Sequence, residues 1–290
     1  FADWQLARLL ISCPDRAGII ATVTNFLFRH GANITCLDQH ATEPTAQQAA
    51  QFFMRLEFDC AALTLSHAAL ESAFSEQVAQ PHDMHWHITY AAQLPRMAIL
   101  VSKYDHALLE LLWRHAQGEL PAQITQVISN HPDLERAVAH FGIPFKHIPV
   151  TKDTKTQAEQ QILQALGNDT DLIVLARYMQ VLSADFVAHY PQKIINIHHS
   201  FLPAFAGANP YKQAYDKGVK IIGATAHYVT ADLDEGPIIE QAVGRVSHRH
   251  DAGDMMRLGR DLERQVLARA VQWHLEDRIV LEGARTIVFE

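Results

Sequence analysis

Apolar positions along the chain follow two different periods, one before and one after about residue 95. Residues 6–13 (LARLLISC) form a short apolar run that reads as a strand. A turn at Pro14-Asp15-Arg16-Ala17-Gly18 feeds a helix with Ile19, Ile20, Val23, Phe26 and Leu27 on one face, and Gly31 stops it. Residues 33–39 read as a second strand and 43–48 as a polar loop. Over 51–60, Phe52, Met54, Leu56 and Phe58 alternate with polar partners, the pattern of a half-buried strand. An amphipathic helix over 66–80 carries Leu70, Phe74 and Val78, and 84–90 closes with another strand. The order β-α-β-β-α-β predicts a ferredoxin-like unit over residues 1–90.

Residues 91–96 (AAQLPR) read as a linker, and the remainder, 97–290, changes to alternating strands and helices. Strands are expected at 97–102, 124–128, 145–150, 172–176 and 194–198, with helices at 105–115, 133–141, 155–166 and 184–189. Such alternation predicts a doubly wound, Rossmann-like α/β domain with a mostly parallel sheet. A helical piece at 211–217, a strand at 221–229, a loop at 231–237 and a sheet extension at 238–246 follow. The long helix expected over 251–277 turns Leu258, Leu262, Val266, Leu267 and Val271 inward, leaving Arg260, Arg264 and Arg269 to solvent. A terminal hairpin pairs 279–281 with 286–289.

With 290 residues, 48% of them hydrophobic, the chain can fill two cores. Its net charge of −8 argues against a nucleic-acid partner, which demands a basic surface. No apolar run approaches membrane-spanning length, and the N-terminal FADWQLARLL is too short and mixed for a signal peptide. Cys13, Cys36 and Cys60 are odd in number and lack C-x-x-C spacing, so they read as small structural thiols of a cytoplasmic protein. His82, His85 and His87 are better explained by a solvated or interface face than by a metal.

The richest chemistry lies between 194 and 237. Asn196 and His198 are two apart at the end of an apolar strand, so both side chains leave one face. Carboxyl ends of strands are where open α/β sheets place ligands. Asp234 sits in the loop that follows the next strand. An amide and an imidazole supply hydrogen-bond donors for a developing oxyanion, and a carboxylate supplies a proton acceptor. His227, within that next strand, reads either as support for the loop or as a site residue. A zinc site built from His198, His199, His227 and Asp234 is rejected, because adjacent strand residues diverge. The turn after the first strand of this domain, Val101-Ser102-Lys103-Tyr104-Asp105-His106, has no glycine, which excludes the usual dinucleotide cradle.

N-I-H-x-S-x-L-P-x-F-x-G from Asn196, followed by H-x-V-T-x-x-L-D-x-G-P from His227, resembles the signature of the formyltransferase family that uses 10-formyltetrahydrofolate. C-P-D-R-x-G-I-I, from Cys13, is similar to the opening of ACT domains, small modules that bind amino acids between subunits. An ACT-like domain ahead of a formyltransferase-like domain resembles the deformylase branch, and the resemblance spans essentially the whole chain. It implies hydrolysis of 10-formyltetrahydrofolate to tetrahydrofolate and formate, supplying formate for purine synthesis and balancing one-carbon pools. It implies Asn196, His198 and Asp234 as catalytic residues. Met179, Gln180, Val181, Leu182, His199, His227 and Val229 would contact the folate, and Asp15, Arg16 and Gly18 a regulatory amino acid. No cofactor or metal is implied, and a homodimer or homotetramer is expected because ACT strands pair across subunits. His199 stands where transformylases carry proline, and the glycine-free turn at 101–106 lacks their phosphate-cradling loop. Two alternatives stay open: formyl transfer to an amine, and a folate or amino-acid sensor without turnover.

Overall fold

The computed structural model describes residues 5–45, 49–203 and 210–290. Phe205 and Gly207 of the central motif, and residues 46–48 of the predicted polar loop, lie outside them. Two compact units form. The first takes the described residues up to Leu94 together with Glu276–Val280 and Ile287–Glu290; the second takes Pro95–Leu275 and Leu281–Thr286.

In the first unit β1 (Leu6–Pro14), β2 (Asn33–Ala41), β3 (Gln51–Asp59) and β4 (His85–Tyr90) make an antiparallel sheet in the order β2-β3-β1-β4. This is the expected ferredoxin-like arrangement. Helices α1 (Ile19–Arg29) and α2 (His67–Phe74) cover one face, packing Ile19, Val23, Phe26, Leu70 and Phe74 with Leu9, Ile11, Met54, Leu56 and Phe58. The predicted helix over 66–80 is broken: α2 gives way to a wider π turn at Ser75–Ala79 and a 3-10 turn at Gln80–His82. Pro81 has no amide hydrogen to continue the ladder, which accounts for the ending.

The alternation in β3 is also incomplete, because Phe53 and Arg55, on the supposedly wet face, are 2% and 1% exposed. Arg55 Nη2 donates to Glu57 Oε1 at 2.5 Å and to the Glu276 carbonyl, while its Nε donates to the Asp277 carbonyl at 2.9 Å. A buried guanidinium needs such acceptors, and the tail segment supplies them. The last residues therefore belong partly with the first unit, although the sequence pattern assigned all of them to the second.

The second unit holds β5 (Arg96–Val101), β6 (Gln123–Ser129), β7 (Phe145–His147), β8 (Leu172–Leu175), β9 (Ile194–His198), β10 (Ile221–Tyr228) and β11 (Ile238–Arg245). Their order is β11-β10-β9-β8-β5-β6-β7. The five from β5 to β9 run parallel, and β10 and β11 return antiparallel. The helices are α3 (His106–Ala116), α4 (Glu135–Ala139), α5 (Lys155–Leu166), α6 (Ala184–His189), α7 (Pro210–Lys217) and α8 (Ala252–Leu275). Two are shorter than the periodicity predicts. The expected 133–141 helix shrinks to α4 because the chain first turns through a Glu135 N–H to Pro132 carbonyl bond. β12 (Ile279–Glu282) and β13 (Arg285–Val288) form the expected terminal hairpin.

β6 and β7 lie on one side of β5, and β8 and β9 on the other. The strand order reverses between β5 and β8, so a crevice opens at their carboxyl ends. The residues singled out by the sequence gather there.

Candidate active site

β9 is buried along its length except at Asn196, which is half-buried; His198 is 6% exposed. Alternation along the strand sends both side chains to one face. The antiparallel return of β10 sets His227 directly across from Asn196 and Thr225 across from His198. Thr225 has no exposed surface, and its hydroxyl donates to the Ser200 carbonyl while accepting from Leu202 N–H and Gln241 Nε2. That one side chain fixes the turn leaving β9, which contains a cis Leu202–Pro203 peptide.

Asp234 arrives from the loop after β10. Its backbone is left-handed, with φ 58°, a conformation that aspartate tolerates better than most side chains. Gly236 lets the loop fold back, since a Cβ built there would stand 1.7 Å from the Tyr228 carbonyl oxygen. The Tyr228 N–H donates to the Pro237 carbonyl and closes the return. As a result the Asp234 carboxylate lies 3.2 Å from His198 Nδ1 and 3.6 Å from His227 Nε2.

The proton positions follow from the partners. Carbonyls and carboxylates only accept, so His227 Nδ1 carries the hydrogen it gives to the Tyr228 carbonyl at 2.8 Å, and His198 Nδ1 carries one toward Asp234. His227 Nε2 then accepts from the Asn196 amide nitrogen at 3.2 Å. That contact fixes which way the amide faces. His227 is only 2% exposed and pairs across the strands with Asn196. His198 Nε2 is buried and has no partner among the described residues. A buried nitrogen left unpaired is costly unless a ligand or water completes it.

Hydrogen bonding from the His198 ring, with the His227 ring alongside, holds the Asp234 carboxyl far below the usual carboxylate range, against the opposing effect of burial. His199 is pushed down to about 4, first by burial and then by Arg177. It is therefore neutral at physiological pH. Among the described residues no cluster of three His, Cys, Asp or Glu side chains is arranged to hold a metal ion.

The turn after β8 borders the crevice. Met179 and Val181 are 51% and 55% exposed, and Gln180 and Leu182 are half-buried. Ser102 Oγ accepts the Met179 N–H at 2.9 Å and donates to Asn130 Oδ1 at 2.7 Å, tying the turn to the ends of β5 and β6. Val229 gives its N–H to the Ile194 carbonyl, extending the β9–β10 ladder. His199 points with Tyr211 toward a neighbouring cluster, their rings 6.0 Å apart. Sequence reading missed that cluster: Arg177, His106, Tyr211 and Glu263. Glu263 is 1% exposed in the middle of α8, where a charged residue at helical spacing passes for a solvated one. The left-handed Arg177, φ 63°, leaves no trace in composition or period.

In the first unit Gly18 has φ 96°, which disfavours any L side chain, and it begins α1 without a side-chain cap. A cavity of about 560 Å³ there is lined by Asp15, Arg16, Gly18 and Phe52. Arg16 donates to the Pro81 carbonyl at 2.7 Å. His82 bonds to the Val78 carbonyl and His87 to Asp277, leaving the three histidines apart in their roles.

Comparison with known proteins gives two family matches: a formyl transferase model over residues 95–271 and an ACT domain model over residues 7–63. The chain is 53% identical over 283 residues to a formyltetrahydrofolate deformylase of Bacillus subtilis (strain 168), covering 97% of this chain and 93% of the relative. The crystal structure of a formyltetrahydrofolate deformylase from Pseudomonas syringae pv. tomato is similar with a TM-score of 0.93 at 45% identity, covering 98% of this chain and 94% of that one. Glycinamide ribonucleotide transformylase 1 from Symbiobacterium toebii is similar over 68% of this chain and 95% of its own, with a TM-score of 0.63 at 32% identity.

Proposed function

The chain belongs to the formyltetrahydrofolate deformylase family, and we propose from that premise how its residues carry the reaction. It is a hydrolase that takes 10-formyltetrahydrofolate and water to tetrahydrofolate and formate. The observation that carries the reading is the buried, unpartnered Nε2 of His198, backed through its other nitrogen by the ionised Asp234.

Water adding to the formyl carbon places negative charge on the formyl oxygen. The Asn196 amide, oriented by His227, is a donor for that oxygen, and His198 Nε2 adds a second when the ring holds both protons. The attacking water loses a proton as N10 gains one, after which the C–N bond breaks and formate departs. Asp234 and His198 act as one unit in that transfer. Asp234 is the acceptor nearest the ring, and its low affinity for protons keeps it ionised until the water is polarised by the carbon it attacks. The pterin lies against the turn Met179-Gln180-Val181-Leu182, whose exposed apolar side chains suit a flat ring, with His199 and Val229 flanking it. The ACT domain takes a small effector, an amino acid, at Asp15, Arg16 and Gly18. A role in supplying formate for purine synthesis, within a cytoplasmic dimer or tetramer, fits that chemistry. No metal or cofactor is required by these steps.

An acceptor-free assay tests the reading. Wild-type protein with 10-formyltetrahydrofolate alone should yield formate and tetrahydrofolate in equal amounts, and Asp234→Asn should lower kcat by ~10²–10⁴-fold. Formate that appears only after an amine is added would favour formyl transfer. Tight folate binding with no turnover, unchanged by the substitution, would favour a sensor.

A further inference from the structure

Beside the catalytic histidine lies a second polar cavity that the hydrolysis steps leave unused. It measures about 180 Å³ and is lined by Arg177, His199, Tyr211, Lys212, Arg260 and Glu263, among others. That is below the roughly 300–1,000 Å³ of pockets for drug-sized ligands, yet ample for a few small polar molecules. His199 is its link to the reaction, because its ring centre is 5.3 Å from that of His198.

Arg177 is the unusual member. It is only 8% exposed and adopts φ 63° at a turn where a glycine would be unstrained. Its guanidinium lies 5.1 Å above the Tyr104 ring and its Nε is 3.4 Å from Glu263 Oε2, and that buried Nε has no hydrogen-bond partner among the described residues. Glu263 pairs with Arg177 through Nε and is shared with two other donors. One carboxylate oxygen accepts from Tyr211 at 2.6 Å and the other from the His106 ring at 2.9 Å. Arg260 enters from α8, also near the Tyr104 ring, and Lys212 enters from α7. Lys212 is paired with Asp216 at 2.6 Å, so Arg177 and Arg260 are the two cations that share the cavity with Glu263, and a planar guanidinium matches a planar carboxylate.

We propose that this cavity is a subsite for the formate product, with Arg177 and Arg260 receiving its carboxylate once the C–N10 bond breaks beside His198 and formate moves past His199. The subsite rests on the hydrolytic reading above. Formate is the only small anion that reading generates, and at three heavy atoms it fits the space. Gly259 supports the arrangement, since a Cβ there would overlap the Tyr211 hydroxyl that holds Glu263.

The test is direct binding, which needs no turnover. Isotope-labelled formate is titrated onto the full chain with tetrahydrofolate present and its NMR linewidth followed, with chloride as the anion control. Wild-type protein should broaden formate saturably. Arg177→Met and Arg260→Met should each weaken it by about tenfold or more, the loss of a charge-assisted contact, and raise the formate inhibition constant in parallel. Arg260→Met, on the half-exposed side of α8, decides the matter should Arg177→Met not fold. No saturable binding by wild type, or unchanged binding in a folded Arg177→Met, overturns the subsite. If wild type still releases formate without an acceptor, the hydrolytic reading survives that failure; if it does not, the hydrolytic reading itself has failed.

Discussion

The division of labour between two neighbouring histidines comes from their surroundings. His198 has a carboxylate at 3.2 Å, and His199 is partly buried beside the Arg177 cation. Depressed to about 4, His199 stays neutral where an unfolded histidine, near 6.5, takes a proton. The unfolded chain then binds more protons between those values, so this residue's contribution is intact above about pH 6.5 and is lost as pH falls toward 4. Between pH 7 and 5 the wild type should therefore lose up to about 2 kcal/mol more stability than His199→Gln, measured by urea unfolding. Equal losses would show that His199 is solvated. Asn196 and His198 stand out in the sequence because polar residues at the end of an apolar strand are conspicuous, whereas Asp234 lies in a turn where acids are common. Arg177 and Glu263 do not stand out, because their burial depends on one another.

The elements were legible wherever a period ran long enough. β1, α1, β9 and α8 fall where apolar spacing puts them, whereas the helix expected over 66–80 broke near Pro81 and the strand expected over 145–150 kept only its first residues as the edge strand β7. The β10 loop shows why local pattern is insufficient. Asp-Glu-Gly-Pro reads as an ordinary turn, but its shape is dictated by contact with Tyr228, where Gly236 leaves no room for a methyl group. Gly236→Ala should destabilise the protein by ~1–3 kcal/mol through overpacking. It should also lower kcat about 100-fold by moving Asp234 off the His198 ring. Circular dichroism and steady-state kinetics check both. A native-like kcat would mean that Asp234 is not positioned by this turn.

At the scale of the molecule, both architectures could be read from element order, and the crevice at the carboxyl ends of the second sheet follows from where its strand order reverses. The fate of the last fifteen residues could not be read. Arg55 sits in a strand whose pattern makes it look solvated, yet it is buried against tail carbonyls that only the folded chain brings to it. The proposed hydrolysis requires solvent to be the nucleophile at a formyl carbon held beside His198. Running the reaction in water labelled with heavy oxygen, without any amine, measures this most directly. The expected result is formate carrying one solvent oxygen, formed in step with tetrahydrofolate. Unlabelled formate, or no formate until an amine is supplied, would contradict it.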